Sequence, residues 1–565
     1  MTTEAAAALA FRIHERFVEY RRRFDSITLR ARPRFEGRDW RAFERDIVER
    51  IDVYESTVAA ALAEVRTDLG NAAHERHLWN DAREVFARLI TTRDDPQLAA
   101  TYFNSVTRRV FATTGVDAAI EFLGEPAMPP PGEGGLIEQI ELTGGPDAVI
   151  DTLVRHRRFQ ATWADRHRDI TAGGAALGRA LAEHGITGGV VEVLVPTFYR
   201  GHGAYVVGRV CAGDRVLPLA LAIHHDRTGL YLGAVLTSSD DLSVLFSYTH
   251  REFMVRTPDP GAMIAFISSL VPHRRVSELY TAIGLRKHGK TELFRDLWSH
   301  VTTTPDHFVR APGIPGLVMI VFTLDQYDMV FKVIRDHFPP QKSVTPPEVR
   351  EKYAIVSRHD RAGRLIDAQE FRGLSFPADR FDEALLDELL TEAARTVQLV
   401  GTEVRIDRAY IERQVVPLDV FLRDAAPDAA AGAIVEYGTA IKNLAATNVF
   451  PGDMLIKNFG VTRRGRVVFY DYDELSLLTD CNFRKLPIAE HPHDEMAETP
   501  WFGVGGGDIF PEEFRSFLGV GPELRAVFED RHGDLYDVDF WHRVQERIRR
   551  GETIEVFPYR RSAAL

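Results

Sequence analysis

Apolar residues recur at intervals of three and four positions in the first part of the chain. The two clearest series are Leu9, Ile13, Phe17, Tyr20 and Phe24, followed by Trp40, Phe43, Ile47, Ile51 and Tyr54. This spacing puts the apolar side chains on one face of an α-helix. It therefore predicts long amphipathic helices whose apolar faces pack on each other.

The pattern changes twice before residue 260. Residues 125–146 are crowded with proline and glycine, which predicts a loop or a hairpin. Short apolar runs separated by turn residues then predict a sheet appended to the helices. The predicted strands are Val190–Val195, Ala204–Val210, Val216–Ile223 and Leu230–Leu236.

A third region begins near Ala311 with a loop, two apolar strands, a helix and further strands. The helix has a clear start, because Thr345 and Glu348 enclose two prolines in a capping box. The chain has 565 residues, which is longer than one hydrophobic core usually organises. We therefore predict an α+β protein with a mainly helical domain at 1–310, which carries the sheet, and a second domain at 311–565.

Composition and charge narrow the function. The net charge of -13 argues against nucleic acid as a partner, because phosphate contacts need a basic surface. The basic cluster between Arg155 and Arg168 contains Phe159 and Trp163, and we interpret it as a solvated helix face. The sequence has no apolar run of membrane-spanning length and no signal-peptide pattern, which predicts a cytoplasmic protein.

Two groups of side chains resemble metal ligands. The first is His224, His225 and Asp226, but adjacent histidines on a strand point to opposite faces. The second is a polar stretch with His491, His493, Asp494 and Glu495. We favour no metal site at either place, because zinc needs a complete ligand set. The two cysteines, Cys211 and Cys481, form neither a disulfide framework nor a ligand pair.

Residues Gly284–Thr291 match the G-x-x-x-x-G-K-T pattern of a phosphate-binding loop. Such a loop follows a buried strand, whereas Val276, Leu279, Tyr280 and Ile283 have helical spacing. We therefore reject a P-loop nucleotide site. The basic residues of this stretch remain candidates for an anionic effector or for a contact between domains.

The strongest chemical signal lies between residues 451 and 473. Asp453 is followed five positions later by Asn458, and Asp471 comes after a predicted hairpin with its turn at residues 463–465. Protein kinases use this spacing for a catalytic Asp and for two metal ligands. Oxygen ligands of this kind suit Mg²⁺ or Mn²⁺. The alternative is that Asp453 only caps a turn.

The preceding region contains the other parts of a kinase site. The loop Ala311–Leu317 lies between two predicted strands, and Lys332 lies among strand-forming apolar residues. A lysine in such surroundings needs an anion, which ATP phosphates supply. Glu348 and Glu351 are the candidates for its acidic partner. The loop has fewer glycines than the usual kinase motif, so we expect an atypical kinase.

Longer segments resemble one bacterial family, the isocitrate dehydrogenase kinase/phosphatases. They are FRIHERFVEYRRRF, LYTAIGLRKHGKTEL, VFKVIRDHF and PGDMLIKNFGVTRRGRVVFYDYDE. The resemblance extends from about residue 10 to about residue 560. It implies a regulatory domain followed by a bilobal protein-kinase-like domain. It also implies an enzyme that phosphorylates a serine of isocitrate dehydrogenase with ATP and removes that phosphate again, which controls the glyoxylate bypass.

The resemblance assigns a role to each candidate site residue. Asp453 is implied as the kinase base, Asp367 as the phosphatase acid, Lys332 as the phosphate-binding lysine, and Asn458 and Asp471 as metal ligands. The loop implied to cover the ATP phosphates consists of Ala311, Pro312, Gly313, Ile314, Pro315, Gly316 and Leu317. ADP is implied for the phosphatase reaction.

The implied partners are isocitrate dehydrogenase and nucleotide effectors such as AMP, and a homodimer is allowed. Two positions depart from the family: Ala368 stands where threonine is common, and Pro315 replaces a basic residue. We expect these changes to affect phosphate removal and nucleotide affinity respectively. The alternatives are an atypical kinase for another substrate and a nucleotide-sensing pseudokinase without catalysis.

Overall fold

The structure is a computed structural model. It describes residues 2–124, 135–247, 249, 251–313, 315–340, 342, 344–359, 362–487, 502–554, 556–557 and 559. Most of the predicted proline and glycine excursion and the whole second histidine group therefore lie outside the described residues. None of the helices in these ranges combines the length and apolarity that crossing a membrane requires.

The N-terminal part is mainly helical, as the periodicity predicts. Asp39 caps the longest helix by accepting a hydrogen bond from the Ala42 amide at 3.1 Å, and Gly70 ends it with a φ of +52°. The helices are α1 (Thr2–Leu29), α2 (Ala31–Glu36), α3 (Trp40–Leu69), α4 (Arg76–Ile90), α5 (Pro96–Phe111), α6 (Pro146–His156), α7 (Arg166–Glu183), α8 (Ser239–Leu245), α9 (Pro260–Leu270), α10 (Val276–Ala282) and α11 (Arg286–Thr303).

A six-stranded antiparallel sheet packs with these helices. Its strands are β1 (Ile137–Glu141), β2 (Val190–Leu194), β3 (Phe198–Arg200), β4 (Gly203–Ala212), β5 (Arg215–His225) and β6 (Leu230–Leu236). The order is β1-β2-β4-β5-β6, and β3 pairs with β4. All four strands predicted from the sequence are confirmed. β1 directly follows the proline and glycine stretch and forms an edge of the sheet.

A second sheet begins at Phe308 and forms a small lobe with two helices. Its order is β10-β12-β9-β8-β7, and β11 pairs with β12. The elements are β7 (Phe308–Arg310), β8 (Met319–Leu324), β9 (Tyr327–Ile334), α12 (Pro346–His359), β10 (Gln369–Pro377), α13 (Glu383–Glu392), β11 (Val397–Val400) and β12 (Glu403–Arg413). The predicted capping box is confirmed, because the Thr345 amide donates to Glu348 Oε2 at 2.7 Å.

The remaining chain forms a large lobe built around a long buried helix. Its elements are β13 (Val416–Pro417), α14 (Leu418–Asp424), α15 (Pro427–Ala446), β14 (Val449–Phe450), β15 (Phe459–Val461), β16 (Val467–Phe469), β17 (Ser476–Leu477), β18 (Asn482–Phe483), β19 (Asp508–Ile509), α16 (Phe514–Phe517), α17 (Pro522–His532) and α18 (Val538–Arg549). β15 and β16 pair as an antiparallel hairpin, which confirms that prediction.

The described residues form three hydrophobic cores. One lies within the N-terminal helices and sheet, one in the small lobe, and one in the large lobe. The C-terminal half of α11 contributes Leu293, Leu297 and Val301 to the small-lobe core. The predicted α+β class, with a helical first domain and a sheet-containing bilobal second domain, is confirmed. The exact division at residue 310 stays a prediction.

Candidate active site

The loop that joins β7 to β8 contains the predicted phosphate loop. The two strands are neighbours in the sheet, and the Ala311 amide donates to Val321 O at 3.0 Å at the start of the loop. Gly313 has a φ of +120°, a conformation that side chains disfavour. Leu317 at the end is half exposed, and Ile314 lies outside the described residues. The other residues, Pro312, Pro315 and Gly316, lie in this same connection.

Lys332 lies in the centre of the small-lobe sheet. On β9 it is opposite Val321 of β8 and Tyr410 of β12. Its ammonium group is buried and lies 2.6 Å from Glu412 Oε1, and it donates a hydrogen bond of 2.7 Å to Tyr470 O. The lysine therefore connects the small lobe to the large lobe, one residue before Asp471.

The acidic partner of this lysine is Glu412 and not Glu348 or Glu351, so that prediction is wrong. Both candidates on α12 are exposed, and Glu348 accepts hydrogen bonds from Thr345 at the helix start. The buried face of α12 includes Val349, Tyr353 and Val356, and the ring centroid of Tyr353 lies 4.1 Å from that of Tyr410. Glu412 shows the same sequence signal as Lys332, a charged residue among apolar strand formers.

The loop after β14 carries Asp453. Its Oδ1 accepts a hydrogen bond from the Leu455 amide at 2.9 Å, so the carboxylate does cap a turn. Asn458 Nδ2 donates to Asp453 O at 3.4 Å. Gly452 has a φ of +79°, and a Cβ at this position would lie 2.4 Å from Glu474 O. This glycine allows the loop to approach the segment that follows Asp471.

The β15–β16 hairpin brings Asn458 and Asp471 together. Asn458 directly precedes β15, and the Tyr470 amide donates to Asn458 O at 3.2 Å. Asn458 is 4% exposed, so its amide is held inside the lobe. The spacing that the sequence shows thus corresponds to real proximity between the two predicted metal ligands.

Asp471 has the electrostatics of a cation site. Burial, and then the neighbouring Asp473 carboxylate, raise the pKa of Asp471 to about 7, although Lys332 acts in the opposite direction. Lys342 lies 2.9 Å from Asp473. Two buried carboxylates and an amide fit a hard cation, because a positive charge relieves their repulsion. The described residues include no cluster of three or more His, Cys, Asp and Glu that could hold a metal, so nucleotide oxygens would have to complete the ligand set.

Asp367 lies on the side of the small lobe that faces the N-terminal domain. It accepts hydrogen bonds of 3.0 Å from Arg286 Nη2 and from Gln369 Nε2. Its charge adds to the burial that raises the pKa of Glu412, which in turn contacts Lys332. Asp367 therefore acts electrostatically on Glu412, and the hydrogen bond that it accepts from Arg286 links it to the neighbouring domain.

The rejected P-loop stretch forms a contact between domains. Val276–Ala282 is a helix, so no strand precedes the motif and the rejection is confirmed. Arg286 also donates to Glu252 Oε1 at 2.7 Å, so one guanidinium joins Glu252 of the N-terminal domain to Asp367. Lys290 contacts Glu370 O across the same boundary. The sequence predicted either an anionic-effector site or a contact between domains for these basic residues, and the structure shows the contact.

The first histidine group has other contacts. His224 Nε2 is 2.7 Å from the hydroxyl of Tyr559, and His225 Nδ1 is 3.0 Å from Phe35 O. The two rings therefore have different partners on different parts of the chain. Tyr559 lies beyond the last described helix, and its hydroxyl contacts the first sheet at His224.

Comparison with known proteins identifies both halves of the chain. Residues 10–305 match the isocitrate dehydrogenase kinase/phosphatase (AceK) regulatory domain, and residues 306–561 match the isocitrate dehydrogenase kinase/phosphatase (AceK) kinase domain. We call these two ranges the regulatory domain and the kinase domain.

Two full-length relatives agree with this result. The isocitrate dehydrogenase kinase/phosphatase of Anaeromyxobacter sp. (strain Fw109-5) is 45% identical, covering 100% of this chain and 98% of the relative. The protein of the same name from Xanthomonas euvesicatoria pv. vesicatoria (strain 85-10) is 41% identical, covering 99% and 98%. This chain therefore belongs to the isocitrate dehydrogenase kinase/phosphatase family.

Proposed function

We propose that this protein is an ATP-dependent serine kinase that phosphorylates isocitrate dehydrogenase and, in an opposing reaction, removes the same phosphate. The observation that carries the kinase half is the position of Lys332. Its ammonium contacts Glu412 and the carbonyl next to Asp471. This position beside a predicted metal ligand supports a role for the lysine in binding ATP phosphates. The named relatives support the substrate.

In the kinase reaction the protein positions the reactants more than it forms bonds. The loop Ala311–Leu317 covers the ATP phosphates and Lys332 binds them. Asn458 and Asp471 would hold Mg²⁺ or Mn²⁺, and the bound ion would neutralise phosphate charge. Asp453 accepts the proton of the serine hydroxyl while the γ-phosphoryl group leaves ADP and bonds to the serine oxygen.

In the opposing reaction Asp367 orients the water that attacks the phosphoserine, with ADP in the nucleotide site. Its hydrogen bonds to Arg286 and Gln369 fix the carboxylate in one orientation, which this task requires. Ala368 offers no hydroxyl for a second contact to that water. We therefore expect phosphate removal to be the slower of the two activities.

Several further properties belong to this proposal. We infer a cytoplasmic enzyme that directs carbon between the tricarboxylic acid cycle and the glyoxylate bypass. We also infer control by nucleotide effectors such as AMP through the regulatory domain, and a homodimer as the assembly. Arg286 joins the two domains by donating to Asp367. This contact supports the inference that the effect of a bound nucleotide is transmitted to Asp367 through the domain boundary.

Transfer of labelled phosphate tests the proposal. Wild-type protein with ATP and Mg²⁺ should label purified isocitrate dehydrogenase, Asp453→Ala should not, and Asp367→Ala should label normally but release the label more slowly when ADP is added. Labelling of other proteins but not of the dehydrogenase would indicate an atypical kinase. Nucleotide binding without any transfer would indicate a pseudokinase.

A further inference from the structure

One face of α1 exposes apolar side chains to solvent. The opposite face packs into the core of the N-terminal helices and sheet through Ile13, Phe17 and Phe24. On the exposed face, residues recur at steps of three and four positions, and we call them the α1 stripe. They are Ala8, Phe11, Glu15, Val18, Arg22, Ser26 and Leu29. The solvent face of a surface helix is usually polar, so the apolar members of this stripe indicate a contact surface.

The large apolar members of the α1 stripe lie in a row. Phe11 is 51% exposed, Val18 is 40% exposed and Leu29 is 57% exposed. With about 3.6 residues per turn, positions 11 and 29 point in the same direction, and position 18 deviates from them by only about 20°. The mixture of three- and four-residue steps is also the spacing of a seam between two packed helices. The stripe therefore fits another helix better than an irregular loop.

The charged members of the α1 stripe are Glu15 and Arg22. Both are exposed, and neither side chain forms an ion pair or a hydrogen bond with another described residue. They are too far apart to pair with each other, because side chains meet along a helix at three or four positions and not at seven. Each of them is therefore available to an opposite charge on a partner.

The α1 stripe is complementary to its own reverse. Glu15 and Arg22 lie about 5 Å on either side of one midpoint, which directly follows Val18, at a rise of about 1.5 Å per residue. Ala8 and Leu29 lie about 16 Å on either side of the same midpoint. At equal distances from the midpoint, each charge thus has the opposite charge and the large apolar side chain has a small one.

We propose that two copies of this protein form a homodimer through the α1 stripe, with the two α1 helices antiparallel. A two-fold contact uses the same surface on both subunits, so each pairing occurs twice. Glu15 then meets Arg22 of the partner subunit, and Phe11 packs against the small Ser26 of the partner subunit. Val18 lies beside the two-fold axis and meets its own copy.

The charges exclude a parallel arrangement of the two helices. In a parallel pair each residue meets its own copy, so Glu15 would face a glutamate and Arg22 would face an arginine. Like charges in an interface oppose association, whereas the antiparallel pair forms two salt bridges. The contact uses one helix from each subunit and is small, so we expect a dissociation constant in the micromolar range.

The surface rests on the homodimer that is part of the proposed function, whereas dimer formation does not require phosphate transfer. α1 lies at the start of the regulatory domain and contains none of the residues assigned to the nucleotide site. A variant that loses the dimer can therefore still label isocitrate dehydrogenase, and the two measurements test separate properties.

Sedimentation equilibrium of the full chain over a micromolar concentration series tests the surface. Wild-type protein should be a mixture of monomer and dimer. Glu15→Arg and Arg22→Glu each place like charges opposite one another twice and should weaken the dimer at least about tenfold. An equal mixture of the two variants should recover the wild-type affinity, because their heterodimer again contains two pairs of opposite charges. The control Arg23→Glu makes the same charge change at an exposed position of α1 outside the stripe and should leave the dimer unchanged.

Three results would overturn the proposal. Wild-type protein that stays a monomer throughout the series would exclude the homodimer and its surface together. A dimer that Glu15→Arg and Arg22→Glu both leave intact would place the contact on another face of the protein. Weakened dimers that recover neither when the two variants are mixed nor when both changes are combined in one chain would exclude the antiparallel pairing.

Discussion

The pair formed by Lys332 and Glu412 allows a quantitative test of the small lobe. We consider Glu412→Leu, Lys332→Met and the two changes together. The ammonium and the carboxylate are 2.6 Å apart, and the two side chains are 7% and 3% exposed. Each single change leaves one charge inside the protein without its main partner, whereas the double change replaces the pair by apolar groups.

The magnitudes follow from the burial. Leaving a buried charge unpaired costs about 3–5 kcal/mol, and we expect the lower limit for Glu412→Leu because Lys332 retains Tyr470 O. Lys332→Met should lower the free energy of unfolding by less than Glu412→Leu does. Burial already raises the pKa of Glu412, so this carboxylate takes up a proton readily when the lysine is absent. The double variant should recover at least about 2 kcal/mol of the summed losses.

Urea unfolding at pH 7.5 measures these free energies. Glu403→Leu is the matched control on the same strand, since the carboxylate of Glu403 accepts a hydrogen bond of 3.1 Å from the Ser375 hydroxyl and has no ion pair within the described residues. It should cost no more than about 1 kcal/mol and add to Lys332→Met without coupling. If Glu412→Leu and Lys332→Met are also additive, the pair does not stabilise the lobe and the argument from burial fails.

Three other predictions concern the domain boundary, a buried lysine and the catalytic loop. Arg286→Met should slow ADP-dependent phosphate release by about tenfold through misplacement of Asp367 and leave labelling nearly unchanged; equal loss of both activities would contradict this. Burial lowers the pKa of Lys290 to about 7 in the folded protein. Between pH 7 and 10 the unfolded chain therefore binds more protons than the folded protein, and the free energy of unfolding rises with pH. Urea unfolding from pH 7.5 to 9 should show wild type gaining up to about 2 kcal/mol over Lys290→Met, and a constant difference would refute it. Gly452→Ala should destabilise the protein by about 1–3 kcal/mol and abolish labelling, because its Cβ meets Glu474 O and its φ is positive; unchanged melting would exclude that strain.

Much of the fold follows from local patterns. The strands between Val190 and Leu236 are recognisable because apolar runs alternate with turn residues, and a helix over Val276–Ala282 is recognisable from its three- and four-residue spacing. The second case mattered most, since it excluded a P-loop despite a complete motif match. Asp453, Asn458 and Asp471 likewise lie close enough along the chain for their kinase-like spacing to be recognised in the sequence.

The contacts that were missed join residues far apart in the chain. The pairing of β9 with β12 brings Lys332 and Glu412 together. The spacing of residues along the sequence does not show which strands pair. In ordinary kinases the acidic partner lies on the helix that follows the lysine strand, which is why the prediction placed it on α12. The bond from Arg286 to Asp367 crosses a domain boundary, and periodicity describes only which face of an element is buried, not which surface it meets.

The most direct test of the central claim is the catalytic activity of isocitrate dehydrogenase itself. The dehydrogenase is incubated with this protein, ATP and Mg²⁺, its activity is assayed, and ATP is then replaced by ADP before a second assay. We predict that activity falls in the first step and returns in the second, and that neither change occurs with Lys332→Ala. A dehydrogenase that stays fully active with the wild-type protein would contradict the proposed function.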